Sequence, residues 1–110
     1  MKRLLACLAI LLCAFSAAYA GETLVLATTT STADTGLLDY LVPAFEKAHG
    51  ATVKVIAVGS GEALAMGARG AADVLLVHSK AAEDEFMAQG NGLSRDEVMY
   101  NDFIIVGGAA

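Results

Sequence analysis

Five consecutive hydroxyl residues, Thr28-Thr29-Thr30-Ser31-Thr32, follow one short apolar run, and Gly59-Ser60-Gly61 follows another. Hydroxyls placed where a helix begins stand beside backbone amides that have no partner within the helix. Such helix ends carry unpaired N–H groups and a partial positive charge, so both places suit an anion. Glycines on either side of Ser60 let a ligand approach the backbone closely. Neither stretch contains lysine or arginine, so an anion there would be held by dipoles and hydrogen bonds. Taken singly, a Ser or Thr ahead of a helix also reads as an ordinary cap. Five in a row exceed what one cap needs.

Catalytic readings of the same residues are weaker. Gly59-Ser60-Gly61 is not the G-x-S-x-G turn of a serine nucleophile. His78 stands at the end of an apolar run, but nothing orders it with Ser60 and an Asp as a triad. His49, beside Gly50 at the end of an amphipathic stretch, reads as a helix-terminal cation. Neither histidine has metal-ligand spacing. Glu83-Asp84-Glu85 lie successively around a helix and form a solvated face. The glycines match neither a P-loop nor a dinucleotide fingerprint. Arg69 reads equally as a surface charge or a cleft residue. The chain is therefore not expected to be an enzyme, and no metal or cofactor is expected.

The elements that position these residues follow from apolar patterning. Thr23–Ala27 suits a buried strand, and Leu37, Leu38, Leu41, Val42, Phe45 and Ala48 recur at helical spacing up to Gly50. Ser31 and Asp34 have the spacing of a helix cap. Pro43 lacks a backbone donor, so a kink or break is expected there. Thr52–Val58 reads as a second strand, Glu62–Ala68 as a short helix and Asp73–Val77 as a third strand. Ser79 is placed to cap a helix over Lys80–Gln89, which Gly90-Asn91-Gly92 stops. Phe103–Val106 reads as a fourth strand. Strands alternating with helices specify an α/β fold with a mostly parallel sheet and flanking helices. Ligands of such sheets bind beyond the carboxyl ends of the strands. That rule selects Thr28–Thr32, Gly59–Gly61 and His78-Ser79.

Composition bounds the rest. The chain has 110 residues, 56% hydrophobic and 17% charged. Much of that apolar content lies at the start. Met1-Lys2-Arg3 is a basic opening, Leu4–Phe15 an apolar core, and Ala18-Tyr19-Ala20 an A-x-A ending, the layout of a secretory signal peptide over residues 1–20. Both cysteines, Cys7 and Cys13, fall inside it, so no disulfide or thiolate is expected beyond it. Of 7 cations and 12 anions, Lys2 and Arg3 also fall there, leaving 5 − 12 = −7 over residues 21–110. That acidic balance argues against a nucleic-acid surface.

Four ordered blocks carry a family resemblance. Ala27–Thr32 followed by Gly36-Leu37-Leu38 resembles the A-T-T-T-S-T-x-x-x-G-L-L motif of the tungstate-binding proteins of ABC importers. Val55–Leu64 is similar to their second motif, and Ala72–His78 and Val98–Gly107 to two further blocks. The resemblance implies the first lobe of a type II periplasmic-binding-protein-like fold. It implies a periplasmic solute-binding protein that captures a tetrahedral oxyanion and hands it to an ABC permease, as a monomer. In related oxyanion binders the serine ending the first loop and the serine of the second loop bond the anion. By motif position these are Ser31 and Ser60, with Thr29, Thr30 and the Gly61 amide as neighbours.

A pocket of donors suits a fully deprotonated oxyanion and disfavours hydrogen phosphate, whose proton would lack an acceptor. Tungstate is the oxyanion the family implies, with molybdate, phosphate and sulfate as alternatives. Family members are longer and two-lobed, so residues 21–110 are expected to be the N-terminal part of such a domain, the second lobe being absent. Two other readings remain open: a truncated fragment that no longer binds, and a small secreted hydrolase using Ser60 or Ser31.

Overall fold

The computed structural model of the chain describes residues 21–100 and 104–107. The expected signal peptide lies outside the described residues. Three parallel strands form one sheet in the order β2-β1-β3, with β1 (Thr23–Thr29) central, β2 (Thr52–Val58) on one side and β3 (Val74–Leu76) on the other. The expected α/β class with a parallel sheet and flanking helices is what forms. Chain order then runs from β1 through α1 (Thr30–Ala33) and α2 (Leu37–His49) to β2, and through α3 (Ser60–Ala68) to β3. α4 (Lys80–Ala88) follows. The crossovers leave β1 and β2 in opposite directions across the sheet. Right-handed connections therefore place α2 and α3 on opposite faces.

The core is built from small residues. Ala27 of β1 and Ala63 of α3 are fully buried, and Met66 joins them against Ile56, Val58, Ala72, Leu75 and Val77. Alanine facing alanine lets α3 lie close to the sheet. Gly67 extends that approach: a Cβ there would come 2.8 Å from Leu75 Cδ1 and 3.1 Å from Phe86 Cζ. On the other face Leu38 of α2 is the buried anchor. Glu46 of α2 accepts the Val53 N–H at 2.7 Å, tying the helix to β2.

Several boundaries differ from expectation. β1 continues two residues past Ala27, because threonine is β-branched and suits a strand as well as a loop. Thr28 is wholly buried, its hydroxyl donating to Leu76 O at 2.8 Å. Ser31 does not cap a helix. Thr29 takes that role for α1, accepting from Thr32 N at 3.2 Å.

α2 runs unbroken through Pro43. The proline forfeits the bond its N–H would make one turn back, while Leu38 stays packed and Gly50 closes the helix in the left-handed conformation (φ 65°). β3 is shorter than Asp73–Val77, since Asp73 bonds β1 through its side chain, Val25 N–H to Oδ2 at 2.8 Å. Ser79 holds the cap position of α4 without a side-chain cap bond, and α4 ends at Ala88 with Gln89 as its cap.

The fourth strand expected at Phe103–Val106 is not present in the described part. Phe103 lies outside the described residues, and Ile104–Val106 are exposed and in no strand. A strand exists only by pairing, and among the described residues nothing pairs with this segment.

Candidate anion-binding site

Sheet register brings the candidate residues to one edge. Thr29 pairs with Val58, so the next residues, Thr30 and Gly59, leave the sheet side by side. Thr28 pairs with Leu76, which brings His78 level with Thr30 at the same carboxyl end. The starts of α1 and α3 and the end of β3 thus converge. All three stretches selected by the strand-end rule lie there.

At the centre is a chain of hydroxyls. Thr29, 4% exposed, sits at the bottom. Its Oγ1 lies 2.7 Å from Thr32 Oγ1 and 3.2 Å from Ser31 Oγ, besides accepting the Thr32 N–H. Ser31 stands above it, exposed, with its Oγ 3.3 Å from His78 Nε2. Thr30 is exposed beside it, its carbonyl accepting the Asp34 N–H at 2.8 Å.

The neighbouring strand end supplies backbone donors. Gly59 precedes α3 in an extended conformation, and the first bond within the helix is Ala63 N–H to Gly59 O at 2.9 Å. The amides of Ser60, Gly61 and Glu62 come before that bond and have no acceptor in the helix. A Cβ at Gly59 or Gly61 would meet nothing within 4 Å, so there is open space beside these two residues. Ser60 is half-buried in the first turn of α3 rather than in a loop ahead of it.

The acid at this edge, Glu62 in the first turn of α3, is paired. Arg69 pairs with Glu62 Oε1 at 2.8 Å with both side chains about half exposed, which settles it as a surface charge. Two concavities, of about 240 Å³ between α3 and α4 and about 270 Å³ beside α2, lie away from the hydroxyls. The candidate edge is an open surface.

Thr29 and Ser31 are in direct contact, and the register sets Thr30, Ser60 and Gly61 alongside them. His78 is a residue that sequence reasoning selected by position but gave no part in the site. Its signal was its place at the carboxyl end of β3.

The family model described as PBP superfamily domain matches residues 16–110. The chain belongs to the PBP superfamily.

Among PBP relatives, the chain is 67% identical over 86 residues to a tungstate-binding protein, TupA, of Peptoclostridium acidaminophilum, covering 78% of this chain and 30% of that one. It is 59% identical over 76 residues to the tungstate-binding protein TupA of Campylobacter jejuni, covering 69% and 28%. The solved structure of the tungstate ABC transporter protein from Geobacter sulfurreducens superposes with a TM-score of 0.70 at 53% identity, covering 74% of this chain and 35% of that one. The chain thus spans about 30% of the length of the curated relatives it matches. The resemblance read from the four sequence blocks is borne out by these relatives.

Proposed function

We propose that this chain provides part of a periplasmic solute-binding domain that captures a tetrahedral oxyanion, tungstate, and presents it to a membrane ABC permease. The observation that carries the reading is the hydroxyl chain ending at exposed Ser31, at the same end of the sheet as the first-turn amides of Ser60 and Gly61, which precede the first bond of α3. The hydroxyls and first-turn amides at that edge can all donate. A fully deprotonated oxyanion only accepts, so the match is one of hydrogen-bond polarity as well as charge. Ser31, Ser60 and the Gly61 amide are the direct donors in this reading. Thr29 acts from below through Ser31, and Thr30 lies at the rim. The names of the relatives favour tungstate among the oxyanions.

Residues 1–20 act as the export signal, which puts the mature chain in the periplasm, and the binding unit is a monomer. Binding proceeds without turnover: no general base is needed to hold an anion, and among the described residues no Asp bonds His78 to orient it towards a serine. The test is thermal unfolding of the chain with millimolar tungstate, molybdate, sulfate or phosphate. A ligand that binds only the folded state stabilises it by about 2.7 kcal/mol at a hundredfold excess over Kd. A shift with tungstate that phosphate does not reproduce supports the reading. A cooperative transition that no oxyanion moves overturns it and favours the non-binding fragment.

A further inference from the structure

The hydroxyl chain has a direction, and His78 bears on where it ends. A hydroxyl has one proton and two lone pairs. Thr29 Oγ1 has three contacts, and the one from Thr32 N–H takes a lone pair. Of its other two partners, Thr32 Oγ1 and Ser31 Oγ, it must therefore donate to one and accept from the other. If Thr29 accepts from Ser31, the Ser31 proton is spent inside the protein. If Thr29 donates to Ser31, that proton is released, provided that His78 does not claim it. His78 Nε2, 3.3 Å from Ser31 Oγ, governs that second condition. With the proton on Nε2, the imidazole donates and fills the second lone pair of Ser31. With Nε2 bare, the ring accepts the Ser31 proton and Ser31 offers none outward.

We propose that His78 is a positioning residue of this site, whose Nε2–H leaves the Ser31 proton free for a bound oxyanion. The inference rests on the oxyanion reading above and goes beyond it. Binding selects one arrangement: Thr32 to Thr29, Thr29 to Ser31, His78 to Ser31, and Ser31 to the anion. Anion affinity and the tautomer of His78 are consequently coupled, and each biases the other. His49, the other histidine, stacks on Phe45 with ring centroids 4.5 Å apart and has no part in this chain of bonds.

The test uses the full chain labelled with ¹⁵N, a His49→Gln background to assign the ring signals, and tungstate as the probe. Saturating tungstate is expected to hold His78 with its proton on Nε2. His78→Phe, which has no donor, is expected to weaken tungstate between roughly 2-fold and 13-fold, the range of one neutral hydrogen bond. His78→Gln, whose amide can donate, is expected to recover most of that loss. A purely structural histidine would show neither the tautomer signature nor the rescue. Wild-type binding with Nε2 bare, or His78→Phe binding as tightly as wild type, overturns this inference and leaves the proposed function standing. Wild-type chain that fails to bind tungstate overturns both.

Discussion

Replacing Thr28 separates a structural hydroxyl from a ligand-binding one. Thr28 is fully buried in the central strand and donates to Leu76 O at 2.8 Å, joining β1 to β3. Thr28→Val keeps the branched shape and deletes the donor. Leaving a buried acceptor short of a partner costs about 1–3 kcal/mol, here towards the lower end because the bond is only part-buried. The added methyl returns up to about 0.8 kcal/mol. The net expectation is a destabilisation between about 0.2 and 1 kcal/mol, a fall in Tm of at most about 4–8 °C for a domain of this size. Thr28→Ser keeps the donor and loses a methyl, so it should fall by a similar amount. Thr28→Ala loses both and should fall furthest, by about 2 kcal/mol once the cavity is included. Thermal unfolding followed by circular dichroism ranks the three. A Thr28→Val chain as stable as wild type but weaker for tungstate would refute the reasoning, because it would make this hydroxyl a ligand group.

Ser31→Ala and Ser60→Ala should each weaken tungstate by about 10- to 150-fold, as expected for one hydrogen bond to a charged group. Titration calorimetry reads the loss, and an unchanged Kd removes that serine from the site. Gly67→Leu should destabilise the chain by about 1–3 kcal/mol in denaturant unfolding, since α3 lies too close to Leu75 and Phe86 to admit a large side chain. Gly67→Ala should stay within about 1 kcal/mol of wild type, because the atom it meets is the movable end of Leu75 and helix propensity improves.

The Asp84 carboxyl is held below its usual range by a hydrogen bond from Lys80, with the Lys80 and Arg95 charges adding to this against desolvation. A depressed carboxylate stabilises the fold above its unfolded pKa, and that contribution is lost as pH falls through the folded value. Lys80→Met should raise the Asp84 midpoint in an NMR titration. The effect should shrink with added salt, as expected for exposed charges. A midpoint that does not move would assign the shift to Arg95 instead.

The fold was legible where chemistry and periodicity agree. β-branched runs marked β1 and β2, and the spacing of Leu37 to Ala48 marked α2. The errors fall where a residue type serves two purposes. Thr28 and Thr29 look polar enough for a loop, yet threonine suits a strand when its hydroxyl finds a partner across the sheet, as Thr28 does at Leu76. Ile104–Val106 has the composition of a strand. Composition says nothing of whether a neighbouring edge is there to pair with. The place of the candidate serines at the carboxyl ends of the strands was legible because the strand-end rule needs only strand direction. That rule also pointed to His78, without revealing what His78 touches.

What hid the Ser31–His78 contact is register. Apolar alternation says which face of β3 is buried, but not how far β3 slides along β1, and the two residues are 47 apart in sequence. A slip of one residue would put Val77 at that level and turn every side chain of β3 to the other face. The structure fixes the register from the opposite end of the strand. Asp73 accepts the Val25 N–H through Oδ2 at 2.8 Å and donates its own N–H to Val25 O at 2.9 Å, a two-point clamp. From that clamp the register runs Leu26 to Val74, Ala27 to Leu75 and Thr28 to Leu76, and His78 arrives beside Ser31. Asp73, read from sequence as the first residue of a strand, is thus the residue that places the histidine. The polar edge of the site is assembled by an acid at the far end of the sheet, so its geometry depends on a contact that does not belong to the site.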